Sequence, residues 1–140
     1  MPLIHIIYMS TARHEYEPAE LKAILDSSAR YNARNGITGM LLYAEGCFIQ
    51  VLEGEAEAVD ETYARVARDA RHFGLIELER SEIPARSFEQ WSMGFKKVTE
   101  EDIRRHPNFA PFFEHGFDPA TIGAQRGLAF DLLLLFARNQ

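Results

Sequence analysis

The chain has 140 residues, 46% hydrophobic and 26% charged, with a formal net charge of -6. That is enough apolar material for one domain with its own core and too little length for a second of similar size. The acidic balance, with Lys and Arg scattered along the chain, excludes nucleic acid as the main partner, and the sole cysteine, Cys47, suits a reducing compartment.

Leu3 to Met9 is a near-continuous apolar run, the pattern of a central strand buried on both faces. Alternation places Ile4, Ile6, Tyr8 and Ser10 on one face and His5, Ile7 and Met9 on the other. Pro18 to Asn35 reads as a helix with Pro18 early and Gly36 just past the end. Leu21, Ile24, Leu25, Ser28, Tyr31 and Asn32 recur on one stripe. Ile37 to Ala44 and Cys47 to Glu53 are two strands joined at Glu45-Gly46, a hairpin signal, with Phe48, Gln50 and Leu52 on a shared face.

Gly54 closes that strand, and Glu55 to Ala70 is a second amphipathic helix with Val59, Tyr63, Val66 and Ala70 inward and Gly74 as its stop. Leu75 to Ile83 is a fourth strand, Pro84 to Gln90 a connection, and Trp91 to Val98 a fifth strand in which Trp91 and Met93 point the same way. The order βαββαββ predicts an α+β sandwich of ferredoxin-like type, with two helices on one face of a mixed sheet.

The other face carries Ile7, Met9, Ile49 and Val51 and also needs a cover. Beyond residue 100 come a short helix around Glu101 to Arg105, a loop rich in Pro and Phe, and a helix from about Pro119 to Arg138. Leu128 to Phe136 is apolar nearly all round, so additional C-terminal helices are expected to cover that second face and to self-associate, most simply as a dimer. The apolar stretch near residues 127–137 is short for a membrane span and carries Asp131, and Met1-Pro2-Leu3-Ile4-His5 lacks a basic leader. A soluble, cytoplasmic protein without membrane contact is expected.

Several polar groups stand where apolar ones belong: Tyr8 and Ser10 ending the first strand, Asn32 on the first helix, and Gln50 inside Cys47-Phe48-Ile49-Gln50-Val51-Leu52. A buried amide or phenol without a partner costs on the order of 1–3 kcal/mol, so a group of them aimed into one interior suggests a polar, planar ligand. A flavin edge alternates carbonyls with an N–H, and an amide, having both donor and acceptor, can pair with it. Asn32 suits that paired contact. Gln50 can meet a ring edge at one end and the Tyr8 hydroxyl at the other, and turning its amide swaps donor for acceptor without moving backbone.

Singly, each residue has an ordinary reading. Tyr8 is a half-buried strand tyrosine, Asn32 a residue preparing the helix stop, Trp91 and Met93 core or rim, and Arg65 with Asp69 an i, i+4 surface ion pair. The carboxylates Glu53, Glu55, Glu57, Asp60 and Glu61 read as a strand end and helix start, where negative charge suits the dipole. The five histidines show no metal-ligand spacing, and neither a phosphate loop nor a hydrolytic triad is present, so no metal is expected.

Together, in order, Tyr8-Met9-Ser10, Asn32-Ala33-Arg34, Ile37-Thr38-Gly39, Phe48-Ile49-Gln50-Val51-Leu52-Glu53-Gly54, Arg68-Asp69-Ala70-Arg71-His72 and Trp91-Ser92-Met93 resemble the BLUF family of blue-light sensors using flavin. The resemblance implies a photosensor domain over residues 1–98 and a helical extension over 99–140 for capping, oligomerisation or output. It implies a non-covalently held FAD, with FMN or riboflavin as the other forms, contacted by Tyr8, Ser10, Ile24, Ser28, Asn32, Gln50, Arg65, Asp69 and His72. Tyr8 and Gln50 would form the photochemical relay, and Trp91 and Met93 would carry the signal. Family members often have His or Asn where Tyr31 stands, so this sequence departs from the family at that ring-contact position. A stand-alone receptor rather than an enzyme is expected, acting on an unidentified downstream protein. The competing readings are a flavin-free ferredoxin-like interaction module and a small hydrolase or flavin reductase, for which the sequence offers no catalytic cluster; a base-stacking RNA surface lacks the paired aromatics.

Overall fold

Strand β1 (Leu3–Ala12) is buried from Ile4 through Ser10 without a break. Such a strand needs cover on both faces and partners on both edges, and it has them. The computed structural model describes residues 2–44, 46–89, 91–106 and 128–138. After β1 come α1 (Pro18–Asn35), β2 (Thr38–Ala44), β3 (Cys47–Glu55), α2 (Ala56–Ala67), β4 (His72–Glu82), β5 (Gly94–Lys97), α3 (Glu100–Arg105) and α4 (Leu128–Arg138). The sheet order is β4-β1-β3-β2-β5, with β5 parallel to β2 and the other pairs antiparallel. This is the expected ferredoxin-like α+β sheet, extended by one edge strand.

Helix α1 starts with Pro18 in its first turn and a reciprocal capping box between Glu17 and Glu20, and it ends where the Gly36 N–H bonds to the Asn32 carbonyl. Over one sheet face, α1 and α2 lay Leu21, Ile24, Val59, Tyr63 and Val66 on Ile4, Ile6, Tyr8, Leu41, Phe48 and Leu52. On the opposite face, Leu132, Leu133 and Phe136 of α4 pack with Phe88 on Ile7, Met9, Met40, Leu42, Ile49 and Val51. The expectation that the C-terminal helix covers the second face therefore holds. Leu132 and Leu133 are 0% exposed, so the central part of that helix belongs to the core of its own chain. The loop expected near residues 107–113 and the first half of the helix from Pro119 lie outside the described residues.

Three boundaries differ from the pattern-based reading. Helix α2 ends at Ala67 rather than Ala70, because the Asp69 carboxylate accepts the Arg71 N–H at 2.9 Å and turns the chain into β4. Gly74 is inside β4, not a stop. It has φ 65 at a point where the β1–β4 register slips between Met9 and Thr11, so an extra β4 residue is taken up there in a conformation suited to glycine. Strand β5 begins at Gly94 instead of Trp91. The Gly39 N–H takes the Trp91 carbonyl at 3.2 Å, and regular pairing starts only at Met40 opposite Gly94.

Consequently Trp91 and Met93 do not share a face: Trp91 packs with the cluster under α4, and Met93 with the cluster under α1 and α2. Gly39 permits this crossing, since a Cβ there would lie 2.0 Å from the Val51 carbonyl oxygen.

Truncating Leu133 should leave a cavity between α4 and the sheet. We expect Leu133→Ala to lower unfolding free energy by about 2–5 kcal/mol in urea melts. For the same reason, charging Leu132 and Leu133 would unfold the chain rather than separate subunits.

Candidate functional site

Tyr8 and Gln50 stand directly opposite each other in the β1–β3 ladder, on the face under α1 and α2. They are 3% and 4% exposed. The Tyr8 hydroxyl donates to Gln50 Oε1, and Gln50 Nε2 donates to Met93 Sδ at 3.2 Å. The amide is thereby oriented: oxygen toward the phenol, nitrogen toward a sulfur that can only accept. Burial pushes the Tyr8 pKa well above its ordinary 10.0, helped by the neighbouring Tyr63 hydroxyl and the Asp69 carboxylate. Tyr8 is therefore a neutral donor in the resting protein.

Beside Tyr8, the His72 ring ties three elements together. Its Nε2 lies 2.7 Å from the Val66 carbonyl, which can only accept, so Nε2 carries a proton; in the neutral ring Nδ1 then accepts from the Ser10 hydroxyl at 2.7 Å. This links β1, the end of α2 and the start of β4.

Between α1 and α2 a cleft of about 410 Å³, counting its open mouth, descends to this floor. Ile24 and Ser28 supply one wall, Val66, Asp69 and Arg71 the other, and Tyr8, Leu41, Phe48, Gln50 and His72 the floor. Of the residues expected at a cofactor, the structure brings Tyr8, Ile24, Ser28, Gln50, Asp69 and His72 together here. Ser10 sits behind His72. Asn32 is buried at the end of α1, and one of its two Nδ2 hydrogens donates to the Ser92 carbonyl at 2.8 Å, tying the amide to the backbone ahead of β5 without using its second N–H. Arg65 lies over the Tyr31 ring at 4.0 Å and pairs with that ring rather than with Asp69. Trp91 is on the other side of the sheet.

Leu41, Phe48, Val66 and Arg71 also line the cleft and are not among the residues the sequence places at the cofactor. Leu41 was within reach, because hairpin pairing places it opposite Gln50. Arg71 folds back on Asp69, donating from Nε at 2.9 Å and also from Nη2, and these bonds hold the Asp69 carboxyl below the ordinary carboxylate range although burial opposes them. A guanidinium, a carboxylate, a hydroxyl and an amide, set between apolar walls, suit a flat heteroaromatic ring with alternating donors and acceptors at its edge.

The family model described as "Sensors of blue-light using FAD" matches residues 3–94. The chain belongs to the BLUF family. Its curated relatives include photoactivated adenylate cyclase subunit beta of Euglena longa, 32% identical over 75% of this chain, and the blue light- and temperature-regulated antirepressor BluF of Escherichia coli, 33% identical over 61%. The chain spans only 12% and 21% of those two proteins. Among solved structures, the dark state of the BLUF protein BlrB superposes with a TM-score of 0.79 at 27% identity over 99% of this chain and 98% of that one. The ground state of BlsA gives 0.79 at 31% over 95% and 88%. The sensor is therefore of the flavin-using, blue-light kind, and its fold continues through the C-terminal helix as in those neighbours.

The raised Tyr8 pKa has a measurable sign. A phenol whose folded value exceeds its unfolded one contributes stability that is complete below pH 10 and declines as pH rises above it. At pH 10 the tyrosinate absorbance of folded wild type and of Tyr8→Phe should coincide; an excess of about half a tyrosinate in wild type, the amount an ordinary phenol contributes there, would contradict the buried neutral donor.

Proposed function

We propose that this chain is a blue-light receptor in which Tyr8 and Gln50 form the photochemical relay and in which signalling proceeds through protein contacts rather than catalysis. The observation that carries this reading is the oriented chain from the Tyr8 hydroxyl to the Gln50 amide to the Met93 sulfur at the floor of the cleft. A bound flavin supplies the absorption of blue light and an excited state able to take an electron.

This chain's residues do the rest. While Tyr8 keeps its proton, the Gln50 oxygen is held toward it and the amide nitrogen toward Met93. A Tyr8 that has given up its proton accepts instead, which favours turning the amide so that nitrogen faces the phenol and oxygen faces Met93 Sδ. Sulfur has no hydrogen to offer, so the contact to Met93 is lost. One side chain thus converts a proton's position into the release of the segment ahead of β5.

FAD is the flavin we propose. The ring cleft shares Ile24 and Arg71 with a second open groove lined also by Arg13, His14 and Glu20, which offers room, and the Arg13 guanidinium, for the diphosphate tail that riboflavin lacks. Asn32, held by the Ser92 carbonyl, turns the rest of its amide to the ring's polar edge, while Ser10 supports the floor through His72 and Arg65 braces the two helices. Among the described residues no helix is long and apolar enough to cross a membrane, which fits the cytoplasmic site we propose. Residues 1–98 are the sensor, and residues 99–140 a cap and output element. Leu134 and Leu135, half-buried on α4, support self-association through that helix, and a downstream protein completes the pathway.

Purified protein should be yellow, release FAD on denaturation, and show a small red shift under blue light that reverses in darkness. Tyr8→Phe and Gln50→Leu should each abolish the shift with flavin retained; a wild-type shift in the Gln50 variant would refute the relay, and colourless protein would favour the flavin-free interaction module. Light scattering at micromolar concentration should give a dimer, and a monomer would remove the self-association.

A further inference from the structure

Glu53 is 0% exposed, and the relay makes no use of it. It follows Gln50 by three on β3 and faces the α4 side. Its Oε1 accepts from the Thr38 hydroxyl at 2.8 Å and the Phe88 N–H at 2.7 Å, and its Oε2 accepts from the Ser87 N–H at 2.9 Å. A carboxylate is needed for this: both oxygens face donors, so an amide would set its own N–H2 against one of them. Arg86 braces the same knot from outside, donating to Thr38 Oγ1 at 2.9 Å, to the Glu53 carbonyl at 3.2 Å and to the Gly36 carbonyl at 2.8 Å. A carboxylate this deep is expensive to bury, and three donors with an adjacent guanidinium offset that cost.

What the knot holds is the near end of the segment whose far end reaches the cleft. From Phe88 the chain turns, with the Trp91 N–H on the Phe88 carbonyl at 3.1 Å, passes its Trp91 carbonyl to Gly39, its Ser92 carbonyl to Asn32, and its Met93 sulfur to Gln50. Phe88 is itself fully buried and meets Phe130 of α4 edge-on at 6.3 Å. We propose that Glu53 is a positioning residue for the light reaction: by clamping Ser87 and Phe88 it fixes where the segment starts, and so sets Met93 against the Gln50 amide in the resting state. The inference rests on the relay described above, in which that contact is the one broken by light. A segment anchored at Glu53 is drawn back to the resting geometry; a segment released there is not, and the return slows.

The test is Glu53→Gln in the full chain, with Arg80→Met as control, since Arg80 pairs with the exposed Asp60 on the sheet's far edge. Two readings are taken: the Met93 methyl signal by NMR in the dark, and the dark-recovery rate after a blue flash. We expect the Met93 signal to shift and recovery to slow about tenfold in Glu53→Gln, with neither changed in Arg80→Met. An unmoved Met93 signal, or unchanged recovery in a variant that photoshifts, would overturn the assignment. If Glu53→Gln does not fold, Arg86→Met, which loosens the same knot with Glu53 in place, is read by the same two measures. The NMR reading needs no light: a wild type without any photoshift would defeat the receptor function, while the Met93 signal would still decide the positioning role.

Discussion

The hydrogen bond from Tyr8 to Gln50 depends on a single register, and the rest of the site depends on that bond. The two residues are directly opposed in the β1–β3 ladder, and a slip of one residue would turn the Gln50 side chain onto the α4 face and leave Tyr8 without its acceptor in a dry interior. Apolar residues on both faces of both strands forbid the slip, because every neighbour would have to change sides with it. The core thus does more than stabilise. It fixes one phenol against one amide oxygen and leaves the amide nitrogen a single direction in which to donate.

That direction leads out of the sheet. Ile49 and Gln50 are adjacent on β3 yet face opposite layers, so motion of β3 itself would disturb both packed faces at once. A side-chain event avoids this. Its consequence is handed to Met93, and five residues earlier the same chain buries Phe88 against Phe130 of α4. Trp91, between them, crosses to the α4 side. The connection before β5 therefore touches both layers without passing through the sheet, a geometry through which, in the proposed function, a change at the cleft would reach α4 with the strands at rest.

Most of this scaffold was legible in the sequence, and the exceptions share a cause. The α1 boundaries, the hairpin, the alternation at Tyr8 and Gln50 and the apolar α4 follow from periodicity and turn residues, which act locally. Apart from the end of α2, which the local bond from the Arg71 N–H to Asp69 sets, the misread parts are those where long-range contacts override local pattern. Trp91 to Met93 alternate like a strand, but Gly39 takes the Trp91 carbonyl and delays pairing to Gly94. Glu53 looked like one more charge in an acidic strand end, since nothing nearby in sequence reveals that Ser87 and Phe88 will aim their N–H groups at it. Arg65 and Asp69 have ion-pair spacing, yet each finds a partner the helix alone does not supply, Tyr31 and Arg71. Hydrophobic pattern specifies layers, and alternation was enough to bring Gln50 to Tyr8, but the partners of Glu53, Arg65 and Asp69 are specified only by the finished fold.

The Tyr31 departure acquires a role in that light. Arg65 over Tyr31 ties α2 to α1 at one end of the cleft, a cation against an aromatic face that needs no water. Along α1 the order from that end is Tyr31, Ser28, Ile24, and Ile24 is shared with the outer groove that holds Arg13 and His14. The cleft is thus braced at the Tyr31 end and open at the Arg71 end. Under the FAD reading proposed above, the favoured orientation sets the ring edge toward Gln50 and the tail toward Arg13, which shares the outer groove with Arg71 and Glu20. On that reading Tyr31 would act on the ligand through the Arg65 brace between the helices and not through a polar contact of its own.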